Sequence, residues 1–295
     1  VVAIRPYCLI PFLIGVKFFA FRANVWVTGW PPLQMPGHEG CGSVIGRSVV
    51  GELHVEYFKD MAGLGPRAAR FILDEACARV REKGLFSLVL AGGSTPVQTY
   101  ELLAQEQEMP WDKTHVFFGD ERCVPPDDPQ SNFAMAENAL LSRVALPKEN
   151  IHRIETEKAT PDQAAKRCEQ AVREFFGAPG LRRAHDPVPS FDLILLGMGP
   201  DGHTASLFPG FPECAEAKRL FVAVDGAQAN PPLDRITMTL PALNAAGCVL
   251  FLIAGPAKKR IFKEMRTDPA GSAKRLPAAL VRPKGRLFWF VAEDG

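Results

Sequence analysis

One imidazole in this sequence stands where a proton-transfer group would be useful. His203 lies in Leu196-Gly197-Met198-Gly199-Pro200-Asp201-Gly202-His203-Thr204, a glycine-rich stretch with a carboxylate two residues before the histidine. The stretch follows the most hydrophobic run of the chain, Phe191–Met198. Imidazole changes charge near neutral pH, so at a strand end beside a carboxylate it suits a general base. A lone histidine is more often structural, and it is the setting here that favours chemistry.

Four other groups offer anion-binding chemistry. Gly92-Gly93-Ser94-Thr95 follows the apolar run Phe86–Ala91. Its glycines admit an anion to backbone N–H groups, and its hydroxyls add donors; the competing reading is a tight turn with no ligand. Gly119-Asp120-Glu121-Arg122 follows the run His115–Phe118. Arg122 presents a fork suited to phosphate or carboxylate, with Asp120 and Glu121 expected to orient it, against the competing reading of a surface ion pair. Arg235 opens Arg235-Ile236-Thr237-Met238-Thr239-Leu240, whose alternation predicts outward polar residues. Gly255-Pro256-Ala257-Lys258-Lys259-Arg260 puts cations at a helix start, the unfavourable end of the dipole, which an anion nearby would relieve. A solvated basic face explains that cluster almost equally well.

Gly197, Gly199 and Gly202 also spell GxGxxG after a strand, with Asp225 about 20 residues on, as in a dinucleotide fingerprint. Two features oppose that reading. Asp201 would face a pyrophosphate inside its own cradle, and Pro209-Gly210 stops a helix after little more than a turn.

The elements that must position these residues alternate. Apolar Ala68, Ala69, Ile72, Leu73, Ala76 and Val80 mark one face of a helix over residues 60–82, with Gly84 at its stop. Phe86–Ala91 is a buried strand, and Pro96 sits near the first turn of the next helix. A strand at His115–Gly119 and a helix at Ser131–Val144 follow. Thr160-Pro161 caps a helix with Ala164, Ala165, Cys168, Ala171, Val172 and Phe175 on its buried face. Phe191–Met198, Leu220–Asp225, Cys248–Ala254 and Leu287–Val291 read as strands, Ala257–Met265 as a helix, and Ala178–Pro189 as a loop. This order predicts an α/β fold, a mainly parallel sheet covered on both faces. Ligands of such sheets bind beyond the carboxyl ends of the strands, where the loops above all lie.

Composition permits a single large domain: 295 residues, 47% hydrophobic and 23% charged. A net charge of +1 gives no whole-molecule field favouring nucleic acid or an acidic membrane. The cysteines (8, 41, 77, 123, 168, 214 and 248) are scattered, odd in number and without CxxC or Cys/His metal spacing, which predicts a reducing compartment. Residues 1–50 have no clear period and read as a non-homologous or poorly ordered leader. The apolar stretch Pro6–Val16 is too short to span a bilayer.

Taken in order, the loops resemble the 6-phosphogluconolactonase family, within the glucosamine-6-phosphate isomerase/deaminase superfamily. The residues that carry the resemblance are Leu90-Ala91-Gly92-Gly93-Ser94-Thr95-Pro96, Phe118-Gly119-Asp120-Glu121-Arg122-Cys123-Val124-Pro125, Ser131-Asn132-Phe133, Gly197 to Gly210, Arg235 to Thr239, and Gly255 to Lys258. The resemblance implies a Rossmann-like α/β/α sandwich over residues 51–295 and hydrolysis of a phosphorylated sugar lactone. It makes His203 the base, and gives the phosphate to Gly92, Gly93, Ser94, Thr95, Arg122 and Lys258. Gly199, Gly202 and Arg235 complete the expected substrate site, and backbone N–H groups of the Gly197–Gly202 turn are candidates for the oxyanion. Asp201 or Asp120 would support the imidazole; the sequence leaves both open. Deaminases of this fold resemble the Asp201-Gly202-His203 turn but continue with Phe-Asn-Glu-Pro, where this chain has Thr204-Ala205-Ser206-Leu207-Phe208-Pro209. A catalytically inert sugar-phosphate sensor is the rival from another class. The expectation is a cytoplasmic enzyme, monomeric or weakly self-associating, with a small sugar-phosphate substrate and no cofactor, metal, nucleic acid or membrane partner.

Overall fold

Four central strands are mostly apolar and largely buried, and this decides the architecture. In a computed structural model describing residues 44–50, 53–177 and 188–294, β3 (Phe86–Leu90), β7 (Leu193–Leu196) and nearly all of β10 (Cys248–Ala254) are buried, as is most of β4 (Thr114–Phe118). Strands without a polar face must be covered on both sides, the usual state of parallel sheets. They form the middle of an eight-stranded sheet ordered β1-β2-β11-β10-β7-β3-β4-β6. Its other members are β1 (Val44–Val50), β2 (Leu53–Phe58), β6 (Ile151–His152) and β11 (Arg286–Ala292). All neighbours pair in parallel except β1 with β2.

The flanking helices are α1 (Met61–Lys83), α2 (Val97–Leu103), α3 (Asn132–Ala139), α4 (Pro161–Gly177), α5 (Leu240–Asn244), α6 (Pro256–Thr267) and α7 (Pro269–Ala273). Helix α1 shows how sequence sets bounds. The Asp60 carboxylate accepts from the Gly63 N–H at 3.0 Å, and Gly84 ends the helix in the left-handed region at φ 81°. Its Leu64, Ala68, Ala69, Ile72, Leu73 and Ala76 are buried. At the sheet, Phe251 and Trp289 stack at 3.8 Å on neighbouring strands.

Some expectations change. The helix foreseen to Val144 ends at Ala139, where Ala139, Leu140 and Leu141 are buried in succession. Three consecutive buried residues do not fit one helical face, so the chain turns at Leu140. On α4, Ala171 is exposed, and Cys168 and Phe175 are half-buried. Residues 221–224 form β8 (Phe221–Val224), which is not in the parallel sheet. It joins β5 (Asp120–Arg122) and β9 (Arg235–Met238) in a second, antiparallel sheet ordered β5-β9-β8. All four residues of β9 are buried, as is Thr239 after it, so its polar residues do not face solvent.

The expected leader falls mostly on residues outside the described ones, but Val44–Val50 is a strand paired with β2. Cys8, Cys41 and most of the expected loop at 178–189 also lie outside the described residues. Everything described belongs to one unit, Gly40–Gly295.

Candidate active site

Loops after β3, β4, β7 and β10 converge at one end of the sheet, where the chain's path turns from β4 on one side of β3 to β7 on the other. They line a cavity of about 240 Å³ that contains Gly92, Gly93, Ser94, Thr95, Asp120, Arg122, Gly199, His203, Arg235 and Lys258. Asp201 and Gly202 do not line it but belong to the loop that carries His203.

That loop is tied by its own backbone. Gly199 N–H donates to His203 O at 2.9 Å, and Gly202 N–H donates to Gly199 O at 3.1 Å. Gly202 has φ 85°, a conformation costly for residues with a Cβ, and a Cβ on Gly199 would overlap the His203 ring. These bonds use the amide protons of Gly199 and Gly202 inside the turn, which removes them as oxyanion donors. Beyond β7 no α-helix follows before α5, so the dinucleotide reading of the three glycines has no helix terminus to rest on. Asp225 instead caps a short 3-10 turn, accepting from the Ala227 N–H.

The carboxylate left open by the sequence is resolved in geometry. His203 Nδ1 lies 2.6 Å from Asp201 Oδ1, which also accepts from the His203 backbone N–H at 3.1 Å. Burial opposes charge on Asp201, but the hydrogen bond and charge of His203 outweigh it and hold this carboxyl below its usual range. An Nδ1–H donor to Asp201 leaves Nε2 as the ring nitrogen able to accept a proton. Asp120 is engaged elsewhere. Its Oδ2 accepts from Ser206 Oγ at 2.6 Å and its Oδ1 from Asn132 Nδ2 at 3.1 Å.

Arg122 and Arg235 face each other across the β5–β9 ladder. The expectation that Glu121 orients the Arg122 side chain does not hold. The buried Glu121 carboxylate accepts from the backbone N–H groups of Arg122, Asn132 and Phe133 and from Ser131 Oγ, and so anchors the start of α3. Burial still pushes its carboxyl upward, against these bonds. Arg122 Nη1 donates to Gln130 O at 2.7 Å, and Arg235 Nη2 to Pro231 O at 3.1 Å. Neither guanidinium forms an ion pair with a described carboxylate, and the Nε of each is buried without a partner. Burial, then the charge of Arg122, lowers the pKa of Arg235. A half-buried and a buried cation side by side repel each other, and an anion bound between them would relieve that.

The basic start of α6 divides. Lys259 reaches Glu293 at 3.5 Å, whereas Lys258 turns into the cavity and donates to Thr95 Oγ1 at 3.2 Å. Burial lowers the Lys258 pKa.

The family entitled glucosamine-6-phosphate isomerases/6-phosphogluconolactonase matches residues 59–289. The chain belongs to that family. A 6-phosphogluconolactonase of Nostoc is 40% identical over 238 residues, covering 80% of this chain and 94% of its own. Another, from Mycobacterium tuberculosis, is 39% identical over 247 residues, covering 81% and 96%. The crystal structure of the 6-phosphogluconolactonase from Thermotoga maritima superposes with a TM-score of 0.70 at 35% identity, covering 82% of this chain and 100% of that one.

Within this lactonase-like site, sequence reasoning did not single out Asn132, Ser206 or Phe208. Asn132 stood in the quoted Ser131-Asn132-Phe133 motif, and the other two in the Gly197–Gly210 motif. That was the available signal, but their partners come from distant strands. Among the described residues no group of three or more His, Cys, Asp or Glu side chains is arranged to hold a metal.

Proposed function

We infer that the chain hydrolyses 6-phospho-D-glucono-1,5-lactone to 6-phospho-D-gluconate, in the oxidative pentose phosphate pathway. The observation that carries the reading is His203, held through Nδ1 by Asp201, in a cavity that also holds Arg122, Arg235 and Lys258. In this assignment Nε2 takes a proton from a water whose oxygen attacks the lactone carbonyl carbon. The same proton is delivered to the ring oxygen as its bond to that carbon breaks. Arg122 and Lys258, with Ser94, Thr95 and the Gly92–Gly93 backbone, bind the phosphate. Arg235, beside Arg122, adds a second positive charge to the site that takes the substrate's anion. Asp120 belongs to the site as an organiser, joined to Ser206 and Asn132.

No described helix is long and apolar enough to cross a membrane. The five described cysteines are free thiols, which supports a reducing, cytoplasmic setting for this enzyme.

The test is turnover of freshly generated 6-phosphogluconolactone, with spontaneous decay subtracted, for the wild type and His203→Ala. The variant is expected to lose about 10²–10⁴ in kcat with its fold intact. A folded wild type that does not accelerate the reaction overturns the activity, and glucosamine 6-phosphate becomes the substrate to assay.

A further inference from the structure

His203 and Arg235 belong to different loops, yet one aromatic ring touches both. Phe208 lies 4.7 Å from the His203 ring, centroid to centroid, tilted by 46°. The Arg235 guanidinium carbon sits 5.4 Å from the centre of the same ring. Phe208 is buried outside the main core, in a small satellite cluster with Val224, Ala229 and Phe211.

The backbone is built to bring this ring back over the histidine five residues before it. Thr204 and Leu207 exchange backbone hydrogen bonds, and Ala205 takes a left-handed φ of 46° to close the turn between them. The turn is pinned at three points. Thr204 Oγ1 donates to Gly197 O at 2.8 Å, Ser206 N–H to Thr237 Oγ1 at 3.0 Å, and Ser206 Oγ to Asp120 at 2.6 Å. A non-glycine residue in the left-handed region is retained only where the surroundings demand that path.

Both neighbours need such a ring. The described contacts of the His203 imidazole nitrogens comprise one bond, to the half-exposed Asp201, and one hydrogen bond does not fix the plane of an imidazole. The Arg235 side chain has one described hydrogen bond, to a carbonyl, beside the repelling charge of Arg122. An aromatic face supplies what each lacks: shape for the imidazole and quadrupole attraction for the guanidinium.

We propose that Phe208 is a positioning residue shared by the base and the anion site, setting the plane of His203 and the placement of Arg235 together. The inference rests on the lactonase reading of those two residues. Loss of the ring therefore impairs kcat through His203 and KM through Arg235, whereas a ring that merely fills space affects neither when its volume is replaced.

The experiment compares Phe208→Leu, Phe208→Tyr and Phe208→pentafluorophenylalanine with the wild type and His203→Ala. Lactone kinetics and melting temperature are measured for each. Phe208→Leu is expected to lower kcat/KM by about 10–100-fold, with both constants contributing, because small misplacements of reacting groups are expensive. Phe208→Tyr retains the ring and stays within about threefold of wild type. Pentafluorophenylalanine keeps the shape but inverts the quadrupole, so KM is expected to rise roughly 3–30-fold. A folded Phe208→Leu with both constants near wild type overturns the proposal. If that variant fails to fold, unchanged constants in the fluorinated protein overturn it instead. An active His203→Ala would sink the underlying reading, while an inactive one beside a normal Phe208→Leu sinks this inference alone.

Discussion

At the scale of single residues, the site separates groups that act from groups that make room. Arg122 and Arg235 lie side by side with no described carboxylate partner for either guanidinium, so in the proposed lactonase reading an incoming dianion supplies the missing charge. Charge-assisted bonds of this kind contribute about 1.5–3 kcal/mol each. Arg122→Ala is therefore expected to raise KM by roughly 10–100-fold with kcat nearly unchanged, read from steady-state lactone kinetics. A fall in kcat alone would move Arg122 to the reaction centre. Gly199 shows the opposite case. Gly199→Ala places a methyl group where the imidazole lies, at a residue whose φ is not left-handed. The variant is expected to lose about 10²-fold in kcat while its melting temperature moves little, checked by kinetics and thermal unfolding together. The acting residues were legible in the sequence because His203, Arg122, Arg235 and Lys258 announce their chemistry by type and by their place after strands. Phe208 and Ser206 were not, since a phenylalanine and a serine acquire these roles only from what the fold sets against them.

At the scale of elements, the small antiparallel sheet is what assembles the site, and it was the part least legible. Strand β5 is three residues of Asp-Glu-Arg, a composition that reads as a solvated loop. Strand β9 alternates polar and apolar residues, which signals one wet face, yet neighbours cover both faces. Burying Asp120 and Glu121 is tolerable because each finds donors across the chain: Asp120 from Asn132 and Ser206, Glu121 from three backbone amides and Ser131. The resulting network ties β5 to the first turn of α3, whose N-cap is Ser131, with Oγ accepting from the Ala134 N–H at 3.1 Å. Glu121→Ala strands several buried donors at once, each costing about 1–3 kcal/mol. We expect a loss of about 3 kcal/mol or more in urea unfolding, with activity falling because Asn132 releases Asp120. Unfolding indistinguishable from wild type would show that α3 holds its place without this carboxylate.

At the scale of the whole molecule, the parallel sheet was the most legible feature and its edges the least. Strands β3, β7 and β10 are near-continuous apolar runs, a pattern that survives any choice of neighbour. The edge strand β6 is two residues long, too short for any period, and was not foreseen. It nonetheless closes an aromatic seam between the sheet edge and α4. His152 stacks on Phe117 at 4.3 Å, lies 5.2 Å from Phe175, and its Nε2 is 3.2 Å from His115 Nδ1. Burial, reinforced by the neighbouring His115, lowers the His152 pKa to about 4, and burial lowers that of His115. Both are thus kept neutral in the fold while the unfolded chain takes up protons near pH 6.5. Where the unfolded state binds more protons, stability rises with pH, so this seam weakens the fold as pH drops from about 6.5 toward 4. His152→Phe preserves the stack and removes one titrating group. Melting temperatures between about pH 7 and pH 5 should fall less steeply for the variant than for the wild type. Equal slopes would assign the acid sensitivity to other groups, and a steeper slope would mean that His152 gains a proton at less cost than its neutral packing implies.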